Sequence, residues 1–226
     1  MAGASLSSGT LTPEHVSRGK QPDHTFHGPS RLVYGANSDF PPFEYRDSEG
    51  QPRGFNVELV RALARELGIE IEVRLIPVGK VQTQLSTGAI DLASLSYSES
   101  RARKYDFLDS TWVLRQVVLF RPGRQSPARR LDQMRNETVA VIKPSIMYEA
   151  LMELPAAHRP VLTTVDSPPA ALRLLAEGKV GGVAGNELTL NYSAQQLGMN
   201  GLVAVNVNSV SYHLVTQKGR REEFRA

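Results

Sequence analysis

Residues 55–96 read FNVELVRALARELGIEIEVRLIPVGKVQTQLSTGAIDLASLS, and their hydrophobic period switches back and forth between that of a helix and that of a strand. From Asn56 to Leu67 apolar residues recur every three or four positions. Phe55, Leu59, Leu63 and Leu67 fall on one face and Gly68 supplies a left-handed stop, so an amphipathic helix is predicted. Ile69, Ile71, Val73 and Leu75 then alternate with charged residues, which is strand periodicity. A second helix is expected around Lys80 to Ser86, ending at Gly88, and Ile90 to Leu95 reads as a buried strand. Helix and strand in alternation at this spacing predict an α/β fold with mostly parallel sheets.

The same grammar extends in both directions. Leu32-Val33-Tyr34 opens the folded part as a strand from Arg31. The second half predicts a strand over Thr138–Ile142, a helix from Ser145, a strand over Val161–Val165 and a helix opened by Asp166-Ser167-Pro168 and stopped by Gly178. Val180–Ala184 follows as a strand, Asn186 caps a helix that reaches Leu197 and ends at Gly198, and two strands, Leu202–Val207 and Val210–Thr216, close the pattern. Between the halves lie the extended stretch Val113–Phe120 and the loop Arg121–Pro127, a natural lobe crossing. Two lobes with a cleft between them, each a sheet flanked by helices, is the expected architecture. Residues 1–30 are rich in Ser, Gly, Pro, Thr and His without periodicity and are expected to be a disordered tail or linker outside the fold.

Composition narrows the functional classes. At 226 residues the chain is long enough for a substantial core without covalent staples, and with no cysteine it has no disulfide, thiolate metal site or cysteine nucleophile. The balance of 26 Lys+Arg against 23 Asp+Glu suits a small anion but not the dense basic face of a nucleic-acid binder. No apolar run approaches the roughly 20 residues that span a bilayer, and the first thirty residues lack a secretory leader's apolar core. The arginines at 121, 124, 129, 130 and 135 read as a solvated surface. His15, His24 and His27 lack a carboxylate partner, and His158 and His213 sit in no metal or triad motif, so no metal site is expected. Gly178, Gly181, Gly182 and Gly185 lack the spacing of a phosphate or dinucleotide loop, so no cofactor is expected either.

Three stretches carry binding chemistry. Asn37-Ser38-Asp39-Phe40-Pro41-Pro42-Phe43-Glu44 follows the first strand directly, at a carboxyl end where open α/β sheets bind ligands, and its prolines stiffen Phe40 and Phe43 as apolar walls. Ser94-Leu95-Ser96-Tyr97-Ser98-Glu99-Ser100-Arg101 leads from a buried strand into a short helix capped by Ser98. It joins hydroxyls, free amides and an arginine fork, the composition of a carboxylate or phosphate receptor. Lys143-Pro144-Ser145-Ile146 is a similar strand-to-helix turn in the second half.

In order and spacing these residues resemble the bacterial extracellular solute-binding proteins of family 3, two-lobed periplasmic receptors of the Venus-flytrap type. The marks are Phe40-Pro41-Pro42-Phe43-Glu44, Gly54-Phe55-Asn56-Val57-Glu58-Leu59, Gly88-Ala89-Ile90-Asp91, and Ser96-x-Ser98-x-x-Arg101 followed by Tyr105-Asp106-Phe107. The resemblance runs from about Arg31 to the C-terminus. It implies a non-enzymatic receptor, periplasmic or extracellular, that closes on a small carboxylate-bearing ligand and serves a membrane permease of ABC type or the output module of a sensor kinase or cyclase. It also implies lobe 1 over 31–113 plus 208–226 and lobe 2 over 114–207, with crossings near Val113-Leu114 and Val207-Ser209. Arg101 is then the carboxylate clamp, assisted by Ser94 and Ser96. Phe40 stacks on the ligand body, Ser145-Ile146 closes from the second lobe, and Asn186 faces the ligand's other end.

Departures from the family pattern sharpen this. Asn37 and Asn186 are amides where amino-acid-binding members commonly present acids to the ligand ammonium, which argues against an ordinary zwitterionic amino acid. Val78 replaces a frequent tryptophan, and the short segment Asp91 to Arg101, together with Asp109-Ser110-Thr111-Trp112-Val113-Leu114-Arg115-Gln116, resembles sensor-kinase and cyclase-attached versions. The family usually continues past a position equivalent to Ala226 to finish the first lobe. The same fold also hosts dehydratases; Glu44 and Glu187 are the candidate proton donors for that alternative.

Overall fold

Small aliphatic side chains decide how the first helix sits. In the computed structural model, which describes residues 26–123 and 133–224, that helix is α1, Phe55–Leu67. Its buried stripe is Asn56, Val57, Val60 and Ala64, whereas Phe55 and Leu63 are exposed. The expected face of Phe55, Leu59, Leu63 and Leu67 is therefore rotated away from the core. The slimmer Val57 and Val60 let the helix axis approach strand β1 (Arg31–Asn37) and pack on Leu32, Tyr34 and Ala36. Gly68 closes α1 at φ 66, as expected of a left-handed cap.

The remaining helices and parallel strands follow in the order read from the sequence, joined by three short strands that it did not reveal. The segment after β1 folds into a three-stranded sheet of β2 (Asp39–Phe40), β3 (Glu44–Arg46) and β4 (Pro52–Arg53). After α1 come β5 (Glu70–Ile76), α2 (Val78–Thr87), β6 (Leu92–Ser96), α3 (Glu99–Ala102) and β7 (Tyr105–Phe120). The second half holds β8 (Thr138–Ile142), α4 (Ile146–Glu153), β9 (Val161–Val165), α5 (Pro168–Ala176), β10 (Gly182–Asn186), α6 (Glu187–Gln196) and β11 (Val203–Gln217). A 3-10 turn at Arg221–Phe224 ends the described chain.

One sheet runs through the whole molecule in the order β5-β1-β6-β11-β7-β10-β8-β9. Pairings within each flank, β5 with β1, β1 with β6, β10 with β8 and β8 with β9, are parallel. At the centre β7 and β11 pair antiparallel along almost their entire lengths, from Val203 opposite Phe120 to Gln217 opposite Tyr105. Two expectations are corrected here. The extended stretch begins at Tyr105 rather than Val113, and the strands expected at 202–207 and 210–216 are one strand. The polar run Asn206-Val207-Asn208-Ser209 does not break it, because a bulge takes up Val207 between the pairs Asn206–Val117 and Asn208–Gln116.

Each half has core on both faces of its sheet. Val117 and Leu119 pack toward α5 and α6 with Ala171, Leu172 and Leu190, while Val118 and Phe120 pack toward α4 with Met147 and Leu151. On the other flank Tyr34 and Leu92 meet α1, and Ile90, Leu95 and Val215 meet α2 through Val81 and Leu85. Runs buried on both faces explain why the inner parallel strands β6, β8 and β10 read as continuous apolar stretches, whereas the edge strand β5 alternates. Of the earlier expectations, His15, His24 and the arginines at 124, 129 and 130 lie outside the described residues; Arg121, Arg135 and His27 are exposed.

Candidate functional site

The last residues of the parallel strands converge on one cleft between the two flanks of the sheet. Asn37 ends β1, Ser96 ends β6, Ile142 ends β8, Asn186 ends β10 and Asp166 follows β9, and all five line it. Ligands of open α/β sheets bind at such carboxyl ends. The space in which the centre of a water-sized molecule can move is about 110 Å³. The eight residues assigned ligand contacts from the sequence border this cleft, Asn37, Phe40, Ser94, Ser96 and Arg101 from the first half and Ser145, Ile146 and Asn186 from the second, whereas Phe43, expected as a second apolar wall, is buried and does not line it.

Local chemistry positions each of them. Ser98 caps α3, its hydroxyl accepting the Arg101 amide at 3.3 Å, and this short helix turns the Arg101 side chain inward, where it is 6% exposed. Nη1 of Arg101 donates to the carbonyl of Ser96 at 3.2 Å, so Ser96 holds the guanidinium through its backbone. Ser94 faces inward, with its hydroxyl 2.6 Å from that of Tyr34. Phe40 stacks between Phe43 and Tyr212, with ring centroids 5.3 and 5.7 Å away, and forms an aromatic floor. Ser145 caps α4 by accepting the Tyr148 amide at 3.0 Å. Asn186 caps α6 through Oδ1, 3.1 Å from the Thr189 amide, and its Nδ2 is buried without a hydrogen-bond partner.

Glu44 anchors the floor. Tyr34 hydroxyl, the Asn56 side-chain amide at 2.8 Å and the Asn37 backbone amide at 2.6 Å all donate to its carboxylate, and Asn56 in turn accepts Trp112 Nε1 at 2.8 Å. Burial raises the Glu44 carboxyl above its usual range, and these donors pull the other way. Burial, with Glu44 nearby, pushes the Tyr212 phenol up to about 12, so it stays neutral. Glu187, the other acid considered for proton transfer, lies in the first turn of α6 and pairs with Arg115 at 3.4 Å.

Sequence reasoning missed several cleft residues. Asp39 and Asp166 both line it, so the cleft carries carboxylates although Asn37 and Asn186 are amides. The signals were the two-residue spacing from Asn37 and the position of Asp166 directly after a parallel strand. Gln116 and Thr189, both buried, add neutral hydrogen-bonding groups to the wall. Glu149, four residues beyond Ser145 and so one helical turn away on the same side, reaches across to Arg101 at 2.6 Å. Among the described residues no three His, Asp or Glu side chains cluster in a way that could hold a metal ion.

Residues 32–153 match the sequence model of the bacterial extracellular solute-binding proteins, family 3. The chain belongs to this family. Among curated relatives of this solute-binding family, it is 30% identical over 129 residues to the arginine-binding extracellular protein ArtP of Bacillus subtilis (strain 168). That match takes in 56% of the chain, which spans about half (49%) of the relative's length. Among solved structures, a histidine kinase sensor domain with similarity to periplasmic binding proteins is 31% identical with TM-score 0.79, over 85% of this chain and 84% of that one. Holo ArgBP from T. maritima shares the fold at 23% identity and TM-score 0.75, with 85% of each chain covered. The architecture is thus the two-lobed one of periplasmic binding proteins, and no described helix is long and apolar enough to cross a membrane.

Proposed function

We propose that this family 3 domain captures a small, amino-acid-like carboxylate in the interlobe cleft, outside the cytoplasm, and closes on it. The observation that carries the reading is Arg101, a nearly buried guanidinium lining a gap to which both halves contribute. A buried arginine fork at strand ends is a carboxylate receptor by its donor geometry. Ser96 steadies the fork, Phe40 and Tyr212 offer a flat apolar surface to the ligand body, and Ser145-Ile146 and Asn186 complete the far wall. An ammonium on the ligand would face Asp39 and Asp166, which offsets the lack of charge at Asn37 and Asn186.

In this reading lobe 1 is 31–113 with 208–226, lobe 2 is 114–207, and the paired strands β7 and β11 are the hinge. Ligand contacts made only in the shut form convert binding into a population shift. The likeness to an arginine-binding extracellular protein supports solute capture, and in the first reading the captured solute is delivered to a membrane permease of ABC type. The 31% identity to a histidine kinase sensor domain, over most of both chains, supports a second reading, in which closure drives the output module of a membrane kinase or cyclase. Neither reading assigns a catalytic residue: Glu44 is engaged by three donors and Glu187 by Arg115.

The test is a thermal-shift screen over the twenty amino acids, dicarboxylates and other small acids, since selective binding stabilises the native state by mass action. A subset of carboxylates should raise the melting temperature. Arg101→Ala should weaken binding of any hit at least about a hundredfold, on the order of 3 kcal/mol for a buried carboxylate left without its partner. Undiminished affinity in that variant would refute the clamp.

A further inference from the structure

The guanidinium in the cleft is already held by a carboxylate of the protein itself. Nε and Nη2 of Arg101 both donate to Oε1 of Glu149, at 3.0 and 2.6 Å, and Ser98 hydroxyl lies 3.4 Å from Oε2. Arg101 and Ser98 belong to the turn after β6, whereas Glu149 belongs to α4, which packs on β8 and β10 in the opposite half. The pair therefore crosses the cleft. Two other contacts cross it too: the rings of Tyr45 and Tyr192 are 6.4 Å apart, and Pro144 lies 4.0 Å from where a side chain on Gly79 would begin. The halves are closed against each other at the rim, and the one ion pair among these contacts uses the proposed ligand clamp.

We propose that Glu149 is an intramolecular stand-in for the ligand carboxylate. It latches the empty domain shut through Arg101 and so sets which solutes bind. The inference rests on the reading of Arg101 as the clamp. Arginine has five N–H donors; Glu149 takes one from Nε and one from Nη2, and Ser96 takes one from Nη1. One N–H on each terminal nitrogen is left for a solute. An incoming carboxylate either shares the guanidinium at that end, a few ångströms from Glu149, or displaces Glu149 altogether. In both cases the charge of Glu149 opposes it, because one cation then faces two anions at short range in a partly desolvated site. A solute that brings its own cation relieves this repulsion and also meets Asp39 and Asp166. Glu149 thus selects zwitterionic or cationic solutes over plain mono- and dicarboxylates and keeps the empty cleft from gaping.

The experiment compares wild type, Glu149→Gln, Glu149→Ala and Arg101→Ala by small-angle X-ray scattering without ligand, and by calorimetric titration with succinate and L-arginine. Both Glu149 variants should be more expanded than wild type, as should Arg101→Ala, since the latch fails from either side. Succinate should bind Glu149→Gln at least about tenfold more tightly than wild type, with L-arginine gaining less, because the repulsion its carboxylate loses is offset by the attraction its cations lose. Unchanged dimensions in Glu149→Ala, or succinate binding that is unaltered or weakened, overturns the latch. Arg101→Ala separates the two ideas. Loss of binding there together with inert Glu149 variants overturns the latch alone, whereas retained binding overturns the clamp and the latch with it. Scattering needs no ligand and decides the latch by itself where neither probe binds.

Discussion

At the scale of single residues, Glu44 shows how a carboxylate placed at a cleft by its motif can serve as a brace. It closes the Phe40-Pro41-Pro42-Phe43-Glu44 signature and borders the cleft, which suits a proton donor, yet its oxygens are saturated by Tyr34, Asn56 and the Asn37 amide. It braces the cleft floor to β1 and α1. Burial keeps its folded-state pKa above the unfolded value, so between the ordinary carboxylate range and the raised one the native state binds the extra proton. Its contribution to stability is greatest below the unfolded pKa and declines as pH rises through the folded one. Glu44→Gln removes that decline. Melting temperatures from pH ~4 to ~7 should therefore show wild type losing ground to Glu44→Gln as pH rises; a flat or opposite difference would contradict it. The inward turn of Arg101 and the capping serines were legible because local spacing fixes them. Asp39, Asp166 and Glu149 were harder to see, because their roles depend on where distant strands and helices end in space.

At the scale of elements, the order and type of the helices and parallel strands could be read from period and caps, unlike the short strands β2 to β4 and the full lengths of β7 and β11, and Ser98, Ser145 and Asn186 cap their helices as their sequence context implies. What failed was the choice of face for α1. Its sequence has two apolar stripes, and hydrophobicity favours the one with Phe55 and the leucines. Packing against β1 instead selects the slimmer Val57, Val60 and Ala64, since a helix lying over a strand that carries Tyr34 has little room for leucine. Phe55 turns to Phe43 and Trp112 instead, at 6.2 and 5.9 Å between centroids. This makes opposite predictions for neighbouring positions. Ala64→Leu should destabilise the fold by about 1–3 kcal/mol through overpacking, whereas Leu63→Ala should change it by no more than about 0.5 kcal/mol, as at a surface site. Urea unfolding of the two variants measures both; the reverse ranking would restore the leucine face.

At the scale of the whole molecule, the two-lobed plan followed from the repeated α/β grammar, but the length of the central strands did not, because it depends on a partner that lies about a hundred residues away. Val113–Phe120 alone reads as a short connector; opposite β11 it becomes part of a strand that contributes Tyr105 to one core and Val117 to Phe120 to two others. A ladder of this length, even with its three register shifts, couples the two halves. Unfolding one lobe while the other persists would open the ladder mid-strand and leave unpaired edges and stripped core faces on the survivor. The bulge at Val207 and the register shifts near Tyr212 and His213 take up extra residues while pairing resumes beyond them, so the proposed closure and cooperative unfolding are compatible. Trp112, the chain's single tryptophan, lies on β7 beside Asn56 and reports on the first lobe, whereas far-UV circular dichroism reports on both. The urea transitions by the two probes should coincide, and a carboxylate that binds the cleft should move both midpoints together. Separated midpoints, or a ligand shift confined to one probe, would mean that the shared strands do not bind the lobes into one cooperative unit.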